Sequence, residues 1–471
     1  MPARGPSLCG FLVALEAFRR GLSVTWHADT EQLPLRVIGG RRNPLVGELF
    51  SVSDGKKTVH FQRTRSEECA AAAMAVCSDK LDSKRTLEAR GIRVPRGRVV
   101  DDAGWQASVE ALLRETGWPL VVKPVTGSQG RGVSTGLNSI EDVAGAIDRI
   151  RRSDRPGPIL VEEHVSGQEN RVFVVGDRVA GAFRRVPAHV VANGRSSIRA
   201  LVAAKNRLRK QSPHLSTKPI KLDEAVTERL TRLGMSLDSV PERGETIYLN
   251  TISNLSRGGE SVDVTDSLPE SAKWEAVRAV QAVEGLNVAG VDVLLSGDDE
   301  VSLRPYVVEI NTTAQIGAHL FPMNGKARDV PSAIIEHHFP RTRRSHALVF
   351  DYAGVVGDLE AGRHSSVSLP AVSLAEPCRL DTTIRWRKLT PTRKRRVIAA
   401  MRRSRLHGSY GFAEGPEAHL SLVGDRQDLE RFLERLPSHG IQVAETRWIP
   451  WGRDSVASAG LRELDFARLD G

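Results

Sequence analysis

The sequence predicts an α+β protein of more than one domain. Three observations point there. A length of 471 residues is enough for two or three separate cores. Helical-period runs are interspersed with hairpin signals such as Asp54-Gly55 and Gly176-Asp177, the glycine-containing turns that join neighbouring strands. The last stretch, from about residue 381, reads as βαββαβ, a ferredoxin-like plan.

The elements follow in order. Residues 6–20 have helical spacing, Gly21 stops that helix, and Leu22–Trp26 read as a strand. Glu48–Ser53 and Thr58–Arg63 read as a hairpin, and an Ala-rich helix runs from Ser66 to about Cys77. Residues 1–77 are thus expected to form a small α/β domain. Ser78-Asp-Lys80 caps a helix that ends at Gly91, ahead of the extended Val94-Pro95. Trp118–Lys123 is a strand, 138–152 an amphipathic helix, and 159–165 another strand. A hairpin spans Val172–Phe183, and helices cover 197–209 and 271–285. Residues 78–340 are read as one domain. The Ser-, Gly- and Ala-rich stretch within 341–380 reads as linker, and 381–471 as the ferredoxin-like domain.

Composition narrows the partners. Net charge is +10, with basic clusters at Arg341-Thr-Arg-Arg344 and Arg393-Lys-Arg-Arg396. That excess suits nucleic acid or polyanionic small substrates. Aromatic content is only 5%, too thin for base stacking, so nucleic acid is set aside. Cys9, Cys69, Cys77 and Cys378 lack ligand spacing, and read as reduced thiols of a cytoplasmic protein. No run approaches the ~18 apolar residues of a membrane span. A homo-oligomer is left open.

The chemistry-bearing residues lie in four places. In Tyr306-Val-Val-Glu309-Ile-Asn311, alternation puts Glu309 and Asn311 on one strand face. They are hard oxygen ligands suited to Mg²⁺, with Mn²⁺ as the alternative. Asp292 in Ala289-Gly-Val-Asp292-Val joins them if the two strands pair. Thr126-Gly127-Ser128-Gln129-Gly130-Arg131-Gly132 frees its backbone N–H groups to cradle an anion, and Lys123 just before it adds charge. An ordinary glycine-rich turn has the same composition. Ser256-Arg257-Gly258-Gly259 reads either as an anion-gripping turn or as a solvated loop.

Taken in order, Lys80, Lys123 with its glycine loop, Glu162–Glu169, then Asp292, Glu309 and Asn311 resemble the ATP-grasp superfamily over about residues 78–340. Phe183-Arg-Arg185-Val-Pro-Ala-His-Val-Val, Lys218-Pro-Ile-Lys-Leu-Asp223, Asn254-Leu-Ser-Arg-Gly-Gly259 and Val262-Asp-Val-Thr-Asp266 look like the ATP-grasp part of cyanophycin synthetases and bifunctional glutathione synthetases. The resemblance implies an ATP-grasp fold with a lid subdomain at about 116–165, and ligation of an amino-acid carboxylate to an amine through an acyl phosphate. It implies that Lys80 and Lys123 meet nucleotide phosphates, Lys84 being the substitute for Lys80. Ser128, Gln129, Gly130 and Gly132 would cover the phosphates. Glu162, Glu163 and Val165 would read adenine, and Glu169 the ribose. Asp292, Glu309 and Asn311 would hold Mg²⁺. Arg185, Arg257 and Lys123 would act on the reacting groups.

The pattern departs at Thr312-Thr-Ala-Gln315, where relatives carry a different turn, so substrate identity does not transfer. Three functions stay open. They are a dipeptide ligase, for example a γ-glutamyl ligase of the glutamate–propargylglycine kind in antibiotic biosynthesis, a ligase tailoring a peptide or carrier-bound substrate, and a non-catalytic nucleotide-binding module. The tail resembles an acylphosphatase, most clearly over Gly415–Leu436. Leu389-Thr-Pro-Thr-Arg393 stands in place of the phosphate loop, which implies a structural or substrate-gating role.

Overall fold

The computed structural model describes residues 3, 5, 7–30, 33, 46–100, 104–126, 132–153, 157–250, 253–297, 302–388, 390–413, 415–450 and 457–464. At its centre is a sheet of five antiparallel strands. Their order is Glu260–Asp263, Arg178–Val186, Gln168–Val175, Val288–Ser296 and Arg304–Asn311. Helix Glu270–Gln281 covers one face, burying Ala272, Ala276, Ala279 and Val280. Its small residues let the helix lie close on the strands. Helix Ala71–Ser78 joins this core through Ala73, with Cys69 just ahead of it in the same core, so it belongs with the central sheet and not with the first domain.

The expected lid is larger than 116–165. Its four-stranded sheet runs Gly97–Val100, Ile159–Glu163, Leu120–Pro124, Ser134–Leu137. Helices Trp105–Thr116 and Ile140–Arg151 close it around Val109, Leu112, Val122, Ile147 and Ile150. The strand Gly97–Val100 and the helix Trp105–Thr116 lie ahead of the expected bound. A further lobe pairs His189–Val191 with Thr246–Tyr248 and packs them under helices Ile198–Gln211 and Glu224–Arg232.

The linker reading of 341–380 is corrected. Tyr352–Glu360 is a helix and Ser366–Leu369 a strand. That strand pairs antiparallel with Ser23–His27 and completes the five-stranded N-terminal sheet. Tyr352, Val355 and Leu359 are buried against helix Ser7–Arg19. Their helical spacing was hidden among the glycines, alanines and serines. Phe350 packs edge-on to Phe11 and Phe18, with ring centroids 5.4 and 5.6 Å away.

The C-terminal unit has the chain order strand, helix, strand, strand, helix, strand, from Pro377–Trp386 to Ile441–Pro450. In space its strands lie Ile441–Pro450, Pro377–Trp386, Glu417–Asp425, His407–Phe412. Leu461–Glu463 adds a fifth, parallel to His407–Phe412. Thr390 caps helix Pro391–Arg403, accepting from Arg393 N at 3.3 Å. Arg393 itself turns back to donate to the Lys388 carbonyl.

If 341–380 is part of the N-terminal core, Phe350→Ala should cost about 3–5 kcal/mol. Urea unfolding followed by tryptophan fluorescence, which includes buried Trp26, measures this. Unchanged stability would return the segment to linker status.

Candidate active site

Strand alternation places every second residue on one face. Asp292 lies opposite Glu309, and Gly290 opposite Asn311. On its other side Asp292 lies opposite Arg171. The next strand adds Arg185, one residue along from the Arg184–Asn170 pair. One sheet face therefore carries Glu169, Arg171, Arg185, Asp292, Glu309 and Asn311.

The charges on this face are arranged unequally. Arg171 grips Asp292 with two nitrogens, Nη2 donating to Oδ2 at 2.9 Å and Nε to Oδ1. Arg185 Nη2 donates to the same carboxylate at 3.1 Å, and its Nη1 pairs with Glu169. Ser253 donates to the other oxygen of Glu169. Burial alone would raise the Asp292 carboxyl, but Arg171 and Arg185 overcome it and hold it below the usual range. Glu309 shifts the other way, raised by burial and by the Asp292 charge against Arg171, Lys80 and Arg185. The buried Nδ2 of Asn311 finds no hydrogen-bond partner among the described residues.

This donor set fits a hard divalent cation. Bound to Glu309 and the Asn311 oxygen, it would relieve the repulsion between the two acids. Asp292 enters only as a shared ligand, since both its oxygens already accept from arginine.

A second cluster lies across from this face. Glu162, 3% exposed, ion-pairs with both Lys84 and Lys123. Burial would raise its carboxyl, but Lys123 and Lys84 hold it low. Lys84 Nζ also donates to the Pro95 carbonyl. Lys80 starts the helix Lys80–Glu88, which Asp79 caps, and donates to Val125 O at 3.3 Å. Burial lowers the Lys80 ammonium, with Glu309 opposing and Lys123 adding. Of the two alternatives, it is thus Lys80 whose charge meets Glu309, while Lys84 is held in the Glu162 pair.

Glu163 Oε1 accepts from Arg96 N at 2.8 Å, and Val165 is half-buried. Ser128, Gln129 and Gly130 lie outside the described residues. Gly132 sits at φ +72°, where a Cβ would come 3.1 Å from the Pro124 ring, so only glycine fits there.

Arg257 ends a single 3₁₀ turn, Leu255–Arg257, whose Ser256 N donates to the Asn254 side chain at 2.9 Å. Gly258 follows at φ +90°. The buried Arg209 donates to the carbonyls of Gly258 and Gly259, both at 3.1 Å, and to that of Lys218. This is a pinned loop, not a solvated one. Arg257 itself is exposed and lines a cavity of about 320 Å³ with Lys221, Asp223, Asn250 and Ser256.

The N-terminal unit closes the far end. Thr64 Oγ donates to the Ala314 carbonyl at 3.1 Å, and Arg65 reaches Thr312 Oγ at 3.5 Å. Lys218 Nζ donates to Gln315 Oε1 at 3.2 Å. Burial lowers Lys218 to about 8, with Cys9 opposing and Arg209 adding. The departing turn Thr312–Gln315 is therefore held from two sides.

Three residues escaped the sequence reading as site members: Arg171, Arg209 and Lys218. Arg171 was accessible in principle, because its strand position puts it on the face of Glu169. Arg209 carries no such signal, being part of a polar helix, and Lys218 entered only as the first residue of the family-like run Lys218–Asp223, with no role assigned.

A family profile described as "ATP-grasp domain" matches residues 77–315. Cyanophycin synthetase of Trichormus variabilis is 33% identical over 322 residues, covering 66% of this chain and 34% of that protein. The glutathione biosynthesis bifunctional protein of Clostridium perfringens is 33% identical over 294 residues, covering 61% and 37%. A crystal structure of a bifunctional glutathione synthetase from Pasteurella multocida aligns with a TM-score of 0.49 at 28% identity, over 62% of this chain and 41% of that one. The chain spans about a third of the length of these curated relatives. No helix among the described residues is long and apolar enough to cross a membrane.

His319 and His214 underlie the site and yield a pH prediction. His319 lies between Phe173 and Phe183, at 5.7 and 4.7 Å between ring centres. Burial lowers it to about 3, with Arg171 adding, and burial lowers His214 to about 3, with Lys218 adding. The unfolded chain protonates both near ~6.5. Below that the unfolded state binds more protons, so stability is lost as pH falls, by up to about 1.4 kcal/mol per pH unit per histidine. Denaturation midpoints at intervals from neutral pH to about pH 5 should show this slope, reduced in His319→Leu. An unaltered slope in that variant would mean that His319 is not held neutral.

Proposed function

The chain belongs to the ATP-grasp family, and on that premise we propose that it is an ATP-dependent ligase of amino-acid substrates. A carboxylate oxygen of one substrate attacks the γ-phosphorus of ATP, and ADP leaves. The amine of the second attacks the acyl carbon, phosphate leaves, and an amide forms with loss of the amine proton. The observation that carries this reading is the opposed pair of charge clusters. Glu309 and Asn311 lie on one side with capacity for a cation, and Lys80 and Lys123 on the other with charge for phosphates.

A divalent cation on Glu309 and Asn311 would supply charge neutralisation for the phosphate oxygens. Lys80, at the helix start, would meet the same phosphates. Lys123 would exchange its ion pair with Glu162 for phosphate, which leaves Glu162 with Lys84 and never uncompensated. Arg171 and Arg185 orient Asp292 and add positive charge beside it. Glu169, fixed by Arg185 and Ser253, presents a carboxylate at the edge of the face, suited to a sugar hydroxyl. No side chain is needed as a covalent nucleophile. The protein positions the reactants and excludes water, with residues 126–133 as the phosphate cover.

The cavity beside Arg257 is the proposed seat of a carboxylate-bearing substrate. The C-terminal βαββαβ unit is proposed as structural, since Arg393, in the first turn of its helix Pro391–Arg403, is turned onto the Lys388 carbonyl. The tailoring of a larger peptide would use that unit as a dock.

The test is ADP release scanned across pairs of common amino acids, with product mass determined. ADP formed only when a particular pair is present supports the ligase. No ADP with any pair, but tight ATP binding, would make the chain a nucleotide-binding module. Glu309→Gln should keep the fold and lower Mg²⁺-dependent turnover by roughly a hundredfold or more, on the scale of losing one charge stabiliser. Arg257→Lys keeps the charge and loses the bidentate fork, so it should reduce ligation more than ATP affinity. Parental ligation in the lysine variant would remove Arg257 from the reaction.

A further inference from the structure

A second cluster of ligating side chains lies away from the acidic face. Glu68 follows the short strand Arg65–Ser66 of the N-terminal sheet, and His337 and His338 end the helix Val330–His338. One ligand atom from each of the three lies within 4.8 Å of the others. His338 is 3% exposed, and its Nδ1 lies 3.1 Å from Glu68 Oε2. That contact is an ion pair when His338 is protonated, and a metal ion shared by the two groups would hold them equally close. Nε2 of His338 has no hydrogen-bond partner among the described residues.

We propose that Glu68, His337 and His338 form a binding site for a borderline divalent cation, with zinc the best match, between the N-terminal unit and the last helix beneath the central sheet. Two imidazoles and one carboxylate form a set that zinc uses with an open fourth position. Imidazole nitrogen selects against Mg²⁺, which prefers oxygen. The ligands of tetrahedral zinc sit about 3.4 Å apart, so the set must contract slightly. His337 is exposed, with its ring edge-on to that of His338 at 5.0 Å between centroids.

Two surroundings shape the affinity. The site is at a helix C-terminus, where the backbone dipole favours a cation. Lys57 Nζ donates to Glu68 Oε1 at 2.9 Å. This fixes the carboxylate with Oε2 towards the histidines, in the manner of an outer partner, but its charge also weakens the hold on a metal. Arg178 and Glu336, paired at 2.7 Å, are the neighbouring charges on the His337 side and nearly cancel. Binding should therefore be micromolar, not nanomolar. The occupied site would tie Glu68 to the helix end, and so fasten the N-terminal unit to the sheet that bears Glu309.

The experiment uses tag-free full chain and Zn²⁺ alone, titrated calorimetrically with Mg²⁺ present in excess. One equivalent should bind, and Co²⁺ in its place should give visible bands of a four-coordinate ion. His337→Asn and Glu68→Gln should each raise the Kd roughly tenfold or more. His337 is exposed, so its variant should fold, which an unchanged metal-free melting temperature verifies. No zinc binding up to millimolar concentration would overturn the proposal. So would zinc binding unchanged in both variants, or binding abolished instead by Glu309→Gln, which would place the ion on the acidic face.

Discussion

The carboxylate of Asp292 sits in a sheet interior with Arg171 and Arg185 on one side, from the neighbouring strand and the next, and Glu309 on the other, and much of the molecule accommodates that arrangement. A buried acid is tolerated only when it is paired. Arg171 and Arg185 do this, and Arg185 extends the chain of charge to Glu169. Gly290 is part of the same solution. A Cβ there would come 2.5 Å from Ala314 and 3.0 Å from Arg171, displacing the guanidinium that Asp292 needs. With two acids compensated from within the sheet, the third, Glu309, is left to a charge from outside. In an ATP-grasp protein, a cation that arrives with nucleotide can supply it.

The same logic governs the lid. Glu162 lies between Lys84 and Lys123, so the lid strand is tied to the helix that begins at Lys80. Three lysines and one acid leave net positive charge in that half of the cleft. Each half is thus incomplete on its own, one short of positive charge and the other of negative. A phosphate chain with its metal would match both, as the proposed ligase reading requires.

Much of this was legible in the chain. Alternation along the strand at Tyr306–Asn311 placed Glu309 and Asn311 on one face, and the pairing with the Asp292 strand has the expected register. Local signals sufficed there because strands have a strict two-residue period. They failed for Glu162, whose placement with the adenine-reading residues gives no hint that its carboxylate is spent on two lysines. They failed for Arg209, since a helix of alternating cations does not reveal which one points inward. They failed for 341–380, where three apolar residues at helical spacing were diluted by glycine and serine. In each case the deciding partner lies far away in sequence.

The N-terminal sheet takes its outer strand from Ser366–Leu369, and the parallel pair of Leu348–Val349 with Ala457–Ser458 draws the chain back there once more. During synthesis at ~5–20 residues per second, the edge beside Ser23–His27 must therefore wait tens of seconds for its partner. An unpaired edge is a template for other chains. Until then the nascent N-terminal segment carries an open edge that a chaperone could cover, while the central domain, continuous in sequence, can fold ahead of it.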